Sequence, residues 1–252
     1  MLVNHAAWLI EIILCSCVAT SLTAQNGGIS SSGRGKSPAE ELQSYGIELS
    51  QSSLLAALRN LNPRVRMLAA HQLQSDHDTD AIPAIESALS VEKDPRAGVG
   101  IATALSAMHD PKGTEHLQAM CADTTQPIRV VFDATQMLQL LDAPSGGCAD
   151  AVLGSLNRTS DRDYRDVILS LLPAIYPEVS HEQAVRILQA IENLLRDTTQ
   201  QASVRLAAGQ ALAQIGVPSS VEVVREAMSR ENDPVIRASL QSDLNMLEKK
   251  SQ

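Results

Sequence analysis

Asn62-Pro63-Arg64-Val65-Arg66-Met67-Leu68-Ala69-Ala70 is the stretch on which the fold turns. Asn readily accepts hydrogen bonds from the orphan N–H groups of a helix start, and Pro fits the first helical turn. From Val65, apolar residues recur at Ala69 and Leu73, the i, i+4, i+8 spacing of one helix stripe. Outward from this stretch, the frame occurs in six copies. Its openers are Val65, Ala97, Ile128, Tyr164, Val204 and Ile236. Four residues on stand Ala69, Ile101, Phe132, Ile168, Ala208 and Leu240. Eight on stand Leu73, Leu105, Gln136, Leu172, Leu212 and Leu244, with Gln136 alone out of type. The residue after each opener is Arg66, Gly98, Arg129, Arg165, Arg205 or Arg237, at steps of 32, 31, 36, 40 and 32 residues. Periods of that length mark stacked repeats.

Turn residues precede the copies: Asn62-Pro63, Asp94-Pro95, Gln126-Pro127, Asp161-Arg162-Asp163 and Asp233-Pro234. Shorter apolar-periodic runs lie between them, at Leu54–Leu61, Ala81–Leu89, Thr114–Cys121, Ala149–Leu156, Glu182–Leu195 and Ser219–Met228. Each supplies the first helix of a pair. Sustained β-branched alternation is missing, so the expectation is all-α. A lone short pair cannot bury its apolar face, so each must lean on its neighbours.

With Ala202-Ser203-Val204-Arg205-Leu206-Ala207-Ala208 and Asp233-Pro234-Val235-Ile236-Arg237, the opening stretch resembles the HEAT-repeat family. The likeness is greatest to the short HEAT-like repeats of the phycobilisome-lyase type and covers about residues 50–248. It is strong in repeats one, five and six and looser in two to four. The expected fold is a right-handed α-solenoid of about six antiparallel helix pairs over 38–252. The resemblance implies that second helices line a concave face. It also implies that Arg66, Arg129, Arg165, Arg205 and Arg237 form a structural ladder joining neighbouring repeats through carboxylates or carbonyls.

Composition narrows the function. The chain has 252 residues and a formal net charge of −9, from 20 Lys and Arg against 29 Asp and Glu. That balance argues against nucleic acid and against membrane contact by the repeats, both of which want clustered cations. Aromatic residues make up 2 %, and the one Trp is Trp8, so base-stacking platforms and aromatic cages are excluded.

Residues 1–24 read as a signal peptide, apolar from Ala6 and then polar, although no Lys or Arg precedes the run and Glu11 interrupts it. A lipid anchor at Leu14-Cys15-Ser16-Cys17 and a retained N-terminal anchor are the alternatives. Residues 25–37, QNGGISSSGRGKS, read as a flexible linker. The expected location is secreted or periplasmic. Two cysteines remain in the mature chain, and the helix reading puts Cys121 and Cys148 at opposite ends of neighbouring helices, which argues against a bridge.

Motifs of chemistry are few. Gly33-Arg34-Gly35-Lys36-Ser37 lacks the first Gly of a phosphate loop, since position 30 is Ser30. Asp76-His77-Asp78-Thr79-Asp80 alternates like a calcium loop, but Ala81 and Ser87 stand where Gly and Glu belong. His181-Glu182 is the one His-Glu pair, against the several that a HEAT-like deoxyhypusine hydroxylase uses for iron, and Glu115-His116 is reversed. His71, His77 and His109 have no metal-ligand spacing. Asn157-Arg158-Thr159 fits a glycosylation acceptor. No catalytic, metal or cofactor residue is assigned.

The candidate protein-binding face lies two and six residues past the openers: Met67, His71, Val99, Thr103, Val130, Asp166, Leu206 and Gln210. It is a low-charge stripe suited to a peptide or protein partner, unless neighbouring second helices cover it. The resulting expectation is a non-enzymatic interaction scaffold. The alternative is a HEAT-type enzyme, bilin-lyase-like or a metal-dependent hydroxylase.

Overall fold

The computed structural model describes residues 36–158 and 164–250. The signal and anchor readings, the linker up to Gly35 and the turn at Asp161-Arg162-Asp163 lie outside these residues. The described residues are helices and turns with no strand, the all-α, HEAT-type solenoid class that the repeat pattern predicts. None of their helices is long and apolar enough to cross a membrane.

The chain divides into two compact units, the first ending at His116 and the second starting at Leu117. The first holds α1 (Pro38–Ser44), α2 (Gln51–Ala57), α3 (Pro63–Ser75), α4 (Ile82–Val91) and α5 (Pro95–Ala107). Helix α6 (Pro111–Ala122) carries the boundary. The second unit continues with α7 (Ile128–Leu140), α8 (Ala149–Asn157), α9 (Arg165–Leu169), α10 (Leu172–Ile175), α11 (His181–Arg196), α12 (Ala202–Ile215), α13 (Ser220–Arg230) and α14 (Pro234–Lys250). All six first helices lie on or overlap the expected runs.

Caps set the starts. The Asn62 side chain accepts from Arg64 N, Asp94 Oδ1 accepts from Ala97 N at 2.9 Å, and Asp233 Oδ1 accepts from Val235 N at 2.8 Å. Helix α1 precedes the first expected run; Ser37 and Glu40 form a reciprocal capping box at its start. Val65, Ala69 and Leu73 are buried, as are Ala97, Ile101 and Leu105 in α5 and Val204, Ala208 and Leu212 in α12. Small residues let α3 and α5 close up: a Cβ on Gly100 would stand 2.3 Å from Met67 Cγ.

Two copies depart from the expected frame. In α7 the buried stripe is Ile128, Val131, Thr135 and Leu138, while Phe132 and Gln136 are only half-buried. The stripe is turned by one residue, and polar Gln136 therefore stays off the core. In repeat four the second helix is broken into α9 and α10. Pro173 cannot donate to the carbonyl of Leu169, and its ring crowds that carbonyl, so the first piece ends and a second begins with Pro173 in its first turn.

Cys121 and Cys148 are bonded, with Cα atoms 4.9 Å apart. This corrects the argument from helix ends. Asp142 takes a left-handed φ of 53°, and the chain then passes Pro144, whose carbonyl accepts from Gln118 Nε2 at 3.1 Å. Cys148, in a short turn ahead of α8, is thereby set beside the last turn of α6.

Candidate functional site

The recurrent Arg builds the frame of the site. In the first unit, Arg66 donates from Nε and Nη2 to the two oxygens of Glu92 at 2.6 and 2.5 Å. Its Nη1 reaches back to the carbonyls of Asn60 at 2.7 Å and Leu61 at 3.1 Å. One guanidinium thus ties the turn before its own helix to the end of the next first helix, α4. Burial pushes the Glu92 carboxyl upward, but donation from Arg66 and from the backbone N–H groups of Asp94 and Lys93 outweighs it, so Glu92 sits below the usual carboxylate range. The same bonding holds Arg66 firmly charged.

The motif recurs in the second unit. Arg205 Nε donates to Glu231 Oε2 at 2.8 Å, and its Nη1 donates to the Gln200 carbonyl. Arg165 donates to the Leu156 carbonyl and to Gln200 Oε1, both at 2.9 Å; Gln200 in turn donates to Asp197 Oδ2 at 2.6 Å. Glu92, Asp197 and Glu231 each stand one residue past the end of a first helix. At α8 that place belongs to Arg158, a cation. Arg129 pairs with Asp133 of its own helix, at 3.1 Å, and forms no rung of that kind among the described residues. Arg237 is bonded to the Glu231 carbonyl within its own repeat. Where Arg is replaced by Gly98, His116 Nε2 lies 3.4 Å from the place a Cβ would take, and burial lowers the pKa of that imidazole.

A cleft of about 640 Å³ opens against the Arg66–Glu92 pair. Leu55 from α2 and Ala84, Ala88 and Val91 from α4 make its apolar walls, and Leu61 stands at the turn between α2 and α3. Leu61 is 98 % exposed and Val91 72 %, an apolar mouth with no cover among the described residues. Arg59 and Lys93 lie on the lining as well. Because Arg66 and Glu92 neutralise each other, the cleft carries a net charge of about +2 on a chain of −9. The sequence reading missed this cleft. Its available sign was Leu61, an apolar residue inside the polar turn Asn60-Leu61-Asn62-Pro63.

The expected binding face is largely covered. His71, Val99, Thr103 and Val130 are buried, Met67, Asp166 and Leu206 are half-buried, and Gln210 is exposed. The four buried side chains present no surface to a partner, and at His71 the cause is the close approach of α3 and α5 at Gly100. His71 Nδ1 has no hydrogen-bond partner, and burial, with Arg64 adding to it, pushes the imidazole pKa down to about 4. Asp243 on α14 is likewise buried with Oδ2 unpartnered, and burial pushes its carboxyl up to about 6.

A metal-dependent hydroxylase needs several convergent donors. Among the described residues no group of three or more His, Cys, Asp or Glu is placed to hold an ion, so the donor set does not fit such a centre. His181 opens α11, where Ser180 and Gln183 form the capping box. In the Asp76–Asp80 loop, Asp78 accepts from Gln51 at 2.7 Å and Asp76 from Gln72 at 2.8 Å.

Comparison with known proteins agrees with the frame. The family described as HEAT repeats matches residues 52–139, and the PBS lyase HEAT-like repeat matches 204–230. Residues 52–139 and 204–230 are HEAT repeats. No curated protein matches the chain. Among solved structures, the HEAT-repeat chain is similar to human deoxyhypusine hydroxylase in complex with glycerol, at 18 % identity and a TM-score of 0.41, covering 84 % of this chain and 79 % of that one. It is also similar to the complex of CpcE and CpcF of phycocyanin lyase from Nostoc sp., at 15 % identity and a TM-score of 0.36, covering 90 % and 98 %.

These findings correct the expectation of a non-enzymatic scaffold. The repeat model over 204–230 takes its name from a lyase. The scaffold expectation rested on a low-charge stripe and on missing short motifs, and a missing motif is weak evidence about chemistry when side chains from separate repeats can build a site.

Proposed function

We propose that this HEAT-repeat protein is an enzyme of the lyase kind that takes its substrate in the cleft between α2 and α4. The observation that carries the reading is an apolar cavity with two cations, Arg59 and Lys93, and a neutralised floor. Such a site suits an extended apolar molecule with two carboxylates: the walls offer apolar contact and the cations orient the acids. Glu92 is committed to Arg66 and to two backbone N–H groups, so it holds the floor and does not act as a base. The lyase repeat over 204–230 supports the class of reaction. The metal-dependent reading is set aside because no donor set among the described residues fits.

Titration with a linear tetrapyrrole dicarboxylate, followed by its visible absorption, tests the site. Saturable binding is expected, weakened at least tenfold in Arg59→Ala/Lys93→Ala and abolished when Ala88→Trp fills the cavity. An absent absorption change, or one indifferent to both variants, contradicts the reading.

We also propose that the chain is exported. The Cys121–Cys148 bridge supports this, because structural disulfides persist in oxidising compartments, and the signal-like residues 1–24 agree. Alkylation of intact cells before lysis should leave Cys121 and Cys148 unlabelled in the extracytoplasmic fraction; recovery of labelled protein from the cytosol contradicts it.

A further inference from the structure

Asp243 stands in the middle of α14, in the seam against α12. A Cβ built on Gly209 of α12 would meet its Oδ2 at 2.7 Å and Leu240 Cδ2 at 2.6 Å, so the carboxyl lies close against the backbone of the facing helix. The residue is buried, and Oδ2, the oxygen turned to Gly209, has no hydrogen-bond partner. Seven residues past their openers, the other five copies hold Gln72, Ala104, Thr135, Leu171 and Ala211, all uncharged. The repeat pattern does not call for a carboxyl at this place. A buried carboxylate without a partner is costly, and giving up the charge is its usual escape.

The neighbouring charges are engaged elsewhere. Helices α12 and α13 pack on α14. The one charged residue of α12, Arg205, is bonded to Glu231. On α13, Arg225 binds Glu222 and Glu248, and Arg230 pairs with Glu226. On α14 itself, Arg237 donates to the Glu231 carbonyl and Lys249 is exposed. Lys250 Nζ donates to the carbonyls of Ala213 and Gln214, which pins the end of α14 to the end of α12. Burial is the cause that raises the Asp243 carboxyl.

We infer that α14 is a pH-sensitive latch, seated fully on α12 while Asp243 is neutral and loosened when Asp243 ionises. The folded value lies above the ordinary Asp value of about 3.9, so the seating is complete below about pH 4 and is lost as pH rises toward about 6. The gap between the two values weakens the seating about a hundredfold once the carboxyl is fully ionised. His71 in the α3–α5 seam has the opposite sign, because burial lowers its pKa and acid must charge it. Acid therefore tightens the last copy of the second unit and loosens the first copy of the first.

Hydrogen exchange of the α14 amides, measured in the full chain between pH 5 and pH 7 and corrected for the intrinsic pH dependence of exchange, tests the latch. Protection should fall at least about fivefold over that range in wild type and stay level in Asp243→Asn, which keeps the shape and cannot ionise. A fall of the same size in Asp243→Asn, or none in wild type, overturns the proposal. A second measurement needs no variant to fold: the Asp243 carboxyl carbon, followed by NMR, should titrate with a midpoint of about 6, and a midpoint of about 4 overturns the proposal as well.

Discussion

Arg66 and Arg129 hold equivalent places in the sequence and different places in the energetics. The Arg66 partner, Glu92, has a side chain only 2 % exposed, so removing the guanidinium strands a buried carboxylate. Losses of that kind cost about 3–5 kcal/mol. Arg129 makes an intrahelical i, i+4 pair with Asp133, a contact worth about 0.3–0.5 kcal/mol. Urea unfolding of Arg66→Met should therefore show a large loss at neutral pH and Arg129→Met almost none. The pH dependence follows from Glu92, whose pKa is depressed on folding. Its stabilisation is full above the usual Glu value of about 4.3 and is lost as pH falls through the folded value, so the gap between wild type and Arg66→Met should narrow on acidification below about pH 4. Equal losses in the two variants would contradict the rung.

At the scale of elements, the sequence revealed helices better than it revealed their partners. The stripes at Val65, Ala97 and Val204 and the caps at Asn62, Asp94 and Asp233 were legible because helix periodicity and capping are local. The acceptors of the rungs had a sign that the sequence reading did not use, Glu92-Lys93-Asp94-Pro95 and Glu231-Asn232-Asp233-Pro234, where the Glu bonds the backbone ahead of the Pro as well as the Arg. The break at Pro173 had its sign in the proline itself. The Cys121–Cys148 bond had none, because it depends on the path of residues 141–148, including the left-handed Asp142, which no hydrophobic pattern encodes. The cleft likewise arises from two turns brought together by Arg66, a juxtaposition outside local pattern. Closing a loop of 27 residues, the bridge should stabilise the second unit by about 3–4 kcal/mol on the chain-entropy account. Cys148→Ala should lower the urea midpoint of that unit accordingly, and an unchanged midpoint would remove the bridge from the stability of the fold.

For the molecule as a whole, the repeats explain architecture, and the cleft carries the proposed function. A chain with a net charge of −9 places Arg59 and Lys93 beside apolar walls in its first unit, a local reversal of sign that attracts an acidic apolar molecule. On the proposed lyase reading, the step to test is addition of a thiol to a conjugated double bond of that molecule, in which the S–C bond forms and the thiol proton passes to carbon. The rate of that addition, measured by mass spectrometry with a linear tetrapyrrole dicarboxylate and a thiol-bearing acceptor peptide, addresses catalysis directly. Wild type should exceed the protein-free rate, and Arg59→Ala/Lys93→Ala should lose at least tenfold of the excess; a wild-type rate equal to the protein-free rate would contradict the account.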